Sequence, residues 1–429
     1  MTTTLLNCEV ILSKELGDFW GGTTTSATAS TTVTDTSLKA KPNDWITDVS
    51  YDMITSGSYN EEERKISALD NSTGALTVLA HTGSVASGVT YRVHRLFEAS
   101  EKRRALVAAA KNVFGDCYDL VWDESIVSGN WLKDGSFERW DSAGTALTDW
   151  AESVVVPKKT STNGLFKHGA YSAQLAGTIG TLSQGYTNND DLKWLAGKTV
   201  EFTLQGHCNT ASCLRIGVYD GTTQTYSTYH DGGTSWTDNT DPLSVQVTLD
   251  DNPTEVTFTI CQEIAGGTSY VDDARVISGY RDRLYIGNLG FAQNQPNEIY
   301  IEPTQYSQEE PWIKIHDWEV DEGGYLYLPT SVSNDYRLRI IGKQYLDFLV
   351  SGASSTSWSA TINLDSPQTE ILVAEAALYL YTWMSMPNYE SGTREDYQGM
   401  IGFWKEEARA RRGKFGMPVL PVMTSWGFE

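Results

Sequence analysis

The chemically suggestive residues of this sequence are aromatic. Trp194, Tyr219, Tyr226, Tyr229 and Trp236 lie in or beside polar, glycine-rich loops and not in apolar runs. An aromatic ring stacks on the C–H face of a pyranose while nearby Asn, Asp and Gln satisfy its hydroxyls, so these five are candidate carbohydrate contacts. The same residues could instead plug the ends of a sandwich or anchor an interface. Catalytic signatures are missing: there is no His-Glu-x-x-His, no Gly-x-Ser-x-Gly and no Cys-x-x-Cys. Ala196-Gly-Lys-Thr199 has the ending of a phosphate-binding loop, but Leu192 stands where its first glycine is needed. His207, Cys208 and Cys213 could hold a metal only if adjacent strand residues faced the same way, which alternation forbids. A protein that binds, and is not an enzyme, is expected.

Composition sets the frame. A chain of 429 residues has room for two or three domains, and 40% apolar with 20% charged residues is the balance of a folded chain. Abundant Trp, Tyr and Gly, with long Ser/Thr stretches, favour β-structure with many turns. The net charge of −23 argues against a general nucleic-acid or anionic-membrane binder. No run approaches the roughly 20 apolar residues of a membrane-spanning helix, and the first residues do not read as a signal peptide. Cys8, Cys117, Cys208, Cys213 and Cys261 are odd in number and scattered. They read as reduced, mostly buried thiols.

The elements fall into three stretches. Residues 1–130 open with an imperfect amphipathic segment, Leu5 to Phe19. A β-rich block follows, with a hairpin at Asp70-Asn-Ser-Thr-Gly74-Ala-Leu-Thr-Val78, a strand at Thr90–His94 and a helix from Ala99 to Phe114. Residues 131–279 show strands alternating apolar and polar residues, such as Val200–Leu204, Leu214–Tyr219, Ser244–Leu249 and Glu255–Ile260, the spacing of an all-β sandwich. Residues 280–429 return to strands and then two helices. The first is expected to open at Ser366-Pro367, a hydroxyl cap with proline at the first helical position, and to stop before Pro387. The second is expected from Thr393 to Gly413. The expected fold class is α+β: a small helical bundle with strands, formed from discontinuous N- and C-terminal parts, with the sandwich inserted between them.

Two family resemblances sharpen this. Leu132-Lys-Asp-Gly-Ser-Phe-Glu-Arg-Trp140, Trp150 and Ser269-Tyr-Val-Asp-Asp-Ala-Arg-Val276 resemble the two end strands of jelly-roll carbohydrate-binding modules with a galactose-binding-like fold; Asp134 stands where Asn is usual. The resemblance implies a structural calcium held by Glu138 and Asp273. The flanking parts resemble bacteriophage neck, or minor virion, proteins. The features are Trp20-Gly-Gly-Thr23, the Ser67–Thr77 hairpin, Gly88–Arg92 running into a basic helix, Trp318 with Gly323–Pro329, and the ending after Arg409-Ala-Arg-Arg-Gly-Lys414.

That likeness implies a structural virion protein, a head–tail adaptor made in the host cytoplasm and placed at the capsid–tail junction. It implies a homo-oligomeric ring, expected as a dodecamer, against portal and tail or stopper proteins, with genomic DNA passing through an acidic lumen. Arg409, Arg411, Arg412 and Lys414 would grip an acidic partner surface, or else simply complement a helix terminus. Trp426 and Phe428 would bury in a neighbour. The alternative is a tail or receptor-binding virion protein recognising host glycan; an accessory part of a polysaccharide-active enzyme comes third.

Overall fold

The structure is a computed structural model. It describes residues 2–417 apart from 142, 239–240, 279–280, 282, 305–310 and 386–393. Among the described residues β-sheet outweighs helix, and the five α-helices there, α1 (Leu5–Glu15), α2 (Ala99–Asn112), α3 (Asn189–Leu195), α4 (Thr369–Met384) and α5 (Arg394–Phe415), are the lesser part. The chain's described residues divide into two compact units, the first drawn from 2–119 and 345–417, the second from 120–344.

In the first unit the N-terminal segments and the two C-terminal helices share one core. α4 is apolar nearly all round, with Ile371, Leu372, Val373, Ala376 and Leu380 buried, and so sits centrally among α1, α2 and α5. A six-stranded antiparallel sheet runs in the order Trp20–Thr23, Thr90–His94, Tyr51–Ile54, Glu63–Asp70, Ala75–Val78, Thr32–Thr34. Its hairpin turns at Gly74, with φ +76°, where a Cβ would stand 2.4 Å from the Asp35 carbonyl oxygen. Glycine is therefore required twice over.

Two expected helix ends shift. Ser366 and Pro367 belong to the preceding turn, Gln368 takes the cap position and α4 begins at Thr369. Its first amides find backbone acceptors, with Thr369 N–H donating to the Asp365 carbonyl, so no hydroxyl cap is needed. Gly413 lies inside α5, which continues to Phe415, because the Gly416 and Met417 amides still bond the Arg412 and Asp116 carbonyls.

The second unit holds a sandwich of two five-stranded antiparallel sheets. One runs Lys158–Thr160, Ser172–Ala176, Thr268–Ile277, Thr199–Cys208, Leu243–Thr248; the other runs Gln224–Tyr226, Leu214–Tyr219, Val256–Gln262, Gly180–Tyr186, Ala151–Ser153. Neighbours distant in sequence give a jelly-roll order. Phe202, Leu204, Ile216, Val218, Phe258 and Ile260 fill the interior. Residues 283–344, assigned by sequence to the C-terminal part, belong to this unit. They form a three-stranded sheet and most of a four-stranded one around Leu284, Ile299, Leu326, Leu338 and Ile340.

A buried polar network ties the first unit together. Lys102 on α2 is fully buried, and its Nζ lies 2.8 Å from Asp18, 2.9 Å from Ser13 Oγ and 2.9 Å from His94 Nδ1. Burial, and then Lys102 itself, hold His94 well below the usual imidazole range, so its neutral ring accepts from the ammonium. Removing one member leaves a charge buried without its partner. Lys102→Met is expected to destabilise the protein by about 3–5 kcal/mol, measured by chemical denaturation; a loss below about 1 kcal/mol, the range of an exposed pair, would contradict the network's role.

Candidate functional site

The five candidate sugar contacts fall in three places. Tyr219, Tyr226 and Tyr229 gather on the outer face of the second sandwich sheet. There alternation turns Arg215, Gly217 and Tyr219 outward while Leu214, Ile216 and Val218 face the core. The Tyr226 ring and the Gln224 amide lie over Gly217, where an added Cβ would come 2.8 Å from Tyr226 Cδ1 and 2.5 Å from Gln224 Nε2. Arg215 stacks 3.8 Å from the Tyr226 ring centroid and 4.9 Å from that of Tyr229, and pairs with Glu263 at 2.7 Å. Tyr219 is half-buried, its hydroxyl donating to the Gly221 carbonyl.

Trp236 belongs to the other sheet. It bridges His207, meets that ring edge-on at 5.7 Å, and donates its Nε1–H to the Gly164 carbonyl. His207 in turn touches Tyr270, which completes an aromatic row across that outer face.

Trp194 stands alone and best placed. On α3, Leu192 and Leu195 are three residues apart and both buried, which fixes that face inward and turns Trp194 outward, 55% exposed. It lines a cleft of about 440 Å³ with Trp131, Asp191, Lys198, Arg281, Arg283 and Tyr327. Trp131 is buried beneath Arg281, whose guanidinium sits 3.9 Å from its ring centroid. Lys198 Nζ lies 5.9 Å from the Trp194 centroid, and Arg283 lies 3.9 Å from Asp191. The cleft thus joins aromatic faces to donors and an acceptor, the mixture suited to a sugar ring. Sequence reading found Trp194 but missed Tyr327 and Arg283, which come from a stretch more than 80 residues further along the chain.

The expected calcium does not fit the residues present. Asp273 already holds a cation: Arg275 Nε and Nη2 donate to its two oxygens at 2.8 and 2.9 Å, and Arg275 Nη1 reaches Asp335 at 2.6 Å. Burial would raise the Asp273 carboxyl, but the Arg275 and Arg337 guanidiniums overcome it and hold the group below its ordinary value. Glu138 Oε1 instead accepts the Ala170 and Tyr171 amides at 2.8 and 3.1 Å. Among the described residues no cluster of three His, Cys, Asp or Glu is arranged for a metal. Arg275 is the residue the sequence reading passed over, two places beyond Asp273.

The basic ending of α5 is not one free patch. Arg411 pairs with Glu15 at 2.8 Å and Glu407 at 3.4 Å, and Arg412 with Glu375 at 2.9 Å and Asp116 at 3.4 Å, all within the first unit. These four acids neutralise them internally, so of the four basic residues expected to grip a partner only Arg409 and Lys414 are exposed. Trp426 and Phe428 lie outside the described residues. All five cysteines are free and buried.

No family model matches the chain, and no curated protein matches it. Solved structures similar to it include the carbohydrate-binding module TmCBM61 in complex with β-1,4-galactotriose, at 18% identity and TM-score 0.27, covering 35% of this chain and 99% of the module. The CBM22-1 xylan-binding domain of Paenibacillus barcinonensis Xyn10C matches at 16% identity and TM-score 0.28, over 36% of this chain and 99% of that domain. The enzymatically active domain of tailspike protein 4 of bacteriophage CBA120 matches at 9% identity and TM-score 0.26, over 35% of this chain and 21% of that one. Strand order and register define the sandwich.

Asp134 is buried in a bend ahead of the sandwich's first strand and gives a pH test. Burial pushes its carboxyl up to about 7, against Arg139 and the Glu138 and Arg139 amides that favour the anion. Its ordinary value is 3.8, so between about pH 4 and 7 the folded state holds a proton the unfolded state has lost, and stability falls as pH rises. Below pH 4 both states are protonated and above 7 both are ionised. Denaturation across this range is expected to show Asp134→Asn gaining stability relative to wild type from pH 4 to 7, with a flat difference above 7. A difference independent of pH would contradict the assignment.

Proposed function

We propose that this is a non-catalytic glycan-recognition protein whose sandwich unit takes a neutral polysaccharide segment in the Trp194 cleft. One observation carries the reading: an indole more than half exposed stands at the rim of a cleft of about 440 Å³ that also presents Tyr327, Asp191, Lys198 and Arg283. Water-exposed indole is a cost that ligand stacking relieves, and the flanking polar groups can meet the sugar hydroxyls that stacking leaves unsatisfied. The proposal extends to a tail or receptor-binding virion protein recognising host glycan, as the resemblance of the flanking stretches to virion proteins suggests.

The head–tail adaptor is the second reading, with its ring, portal and tail or stopper partners, DNA-filled lumen and place at the capsid–tail junction. The observation that favours it is α5, which leaves Met400 and Phe403 37% and 54% exposed on the helical unit. Exposed apolar side chains one turn apart suit the surface of another subunit. Phe403→Glu should then convert a ring to monomers in mass photometry; a wild-type chain that is already monomeric would count against the adaptor.

The glycan reading is tested by calorimetric titration with β-linked galacto-, xylo- and gluco-oligosaccharides. Binding without release of new reducing ends is expected for at least one series. Trp194→Ala should weaken it roughly tenfold or more, equivalent to about 1.4 kcal/mol, while leaving the melting temperature unchanged. Equal affinity in Trp194→Ala, or no binding by any series, would contradict the proposal.

A further inference from the structure

A second cavity of the sandwich-containing unit, about 500 Å³, shares no lining residue with the Trp194 cleft. Its character is set by Arg337 and Arg339, which flank Leu338 at the start of the strand Leu338–Gln344. Alternation sends Leu338 and Ile340 into the apolar core and both arginines to the opposite side. Arg339 is engaged: its Nε donates to Glu124 at 2.7 Å, and its guanidinium lies 4.8 Å from the Trp122 and 4.2 Å from the Trp312 ring centroid.

Arg337 is different. It is only 5% exposed, yet its Nε and Nη2 are buried with no hydrogen-bond partner among the described residues. Those two nitrogens form one edge of the guanidinium, the edge that donates two parallel bonds to a carboxylate. Arg275, in the same unit, shows the completed arrangement, with Nε and Nη2 on the two oxygens of Asp273. Asp272, Asp273 and Glu138 share its charge from a distance, but no described carboxylate takes the paired bonds, so two buried donors are left that an arriving carboxylate would satisfy.

The acids around the cavity are already held. Asp123 accepts from the Ser125 amide and hydroxyl, Glu138 from the Ala170 and Tyr171 amides, and Glu302 from the Arg337 amide. Their charges still disfavour a phosphate, which brings nearly two negative charges, more than a carboxylate, which brings one. Sugar hydroxyls can donate to these same oxygens. Trp122, 55% exposed, offers an aromatic surface at the cavity wall.

We propose that this cavity binds a uronate, a sugar whose carboxylate is gripped by the Nε and Nη2 edge of Arg337 with its ring against Trp122. The site is independent of the Trp194 cleft, and failure of one leaves the other standing.

The full-length protein is titrated with sodium D-glucuronate, D-glucose and inorganic phosphate, and the titrations are repeated for Arg337→Gln, Arg337→Lys and Trp194→Ala. Glucuronate is expected to bind at least tenfold more tightly than glucose or phosphate. Arg337→Gln should lose that binding and Arg337→Lys most of it, since lysine keeps the charge without the fork; Trp194→Ala should leave it intact. Tighter binding of phosphate than glucuronate would overturn the uronate assignment, and undiminished binding in a folded Arg337→Gln would overturn the site. Should Arg337→Gln fail to fold, Trp122→Ala, altered at an exposed ring, takes its place: tenfold weaker glucuronate binding supports the proposal and unchanged binding overturns it.

Discussion

A strand can bury only every second side chain, and much of what this protein offers a ligand follows from that constraint. Leu214, Ile216 and Val218 close the sandwich, so Arg215, Gly217 and Tyr219 must face out. Leu338 and Ile340 complete a second core, so Arg337 and Arg339 must line a cavity. Trp194 obeys the helical form of the same rule, since burying Leu192 and Leu195 leaves it no inward direction. Binding surface is thus generated by core formation, and its chemistry depends on which residues occupy the outward positions.

Buried charge is the second organising feature. Lys102 among Asp18, Ser13 and His94, and Arg275 between Asp273 and Asp335, are ionic groups held where water cannot compensate them. Such pairs add little net stability compared with apolar packing, but they punish any arrangement that separates the partners. Arg275 also decides a point of chemistry, because a guanidinium on both Asp273 oxygens leaves that carboxylate unable to serve a metal.

Local pattern was legible in the sequence and long-range pairing was not. The alternation in Val200–Leu204, Leu214–Tyr219 and Glu255–Ile260 predicts strands that the structure contains, and the hairpin at Gly74 and the helix after Ala99 also lie where spacing puts them. Ser366-Pro367 carries a familiar helix-start signal, but the turn from Asp365 satisfies the same amides by backbone, and Gly413 is overridden by the continuing packing of α5. For the site, Trp194 could be picked out as an aromatic in a polar stretch. Tyr327 and Arg283 could not, because only folding brings residues 283–344 into the sandwich unit. Nothing in the spacing of the basic helix marks Lys102, because its burial depends on Asp18 and His94 arriving from other segments.

The central claim is that a glycan sits in the Trp194 cleft. A crystal structure of the full-length protein with the tightest-binding neutral oligosaccharide tests it most directly. The account predicts a pyranose ring stacked on Trp194, with hydroxyls reaching Asp191 and Arg283. Sugar held instead over Gly217 between Tyr219 and Tyr226, or along the Trp236–His207–Tyr270 row, would contradict it.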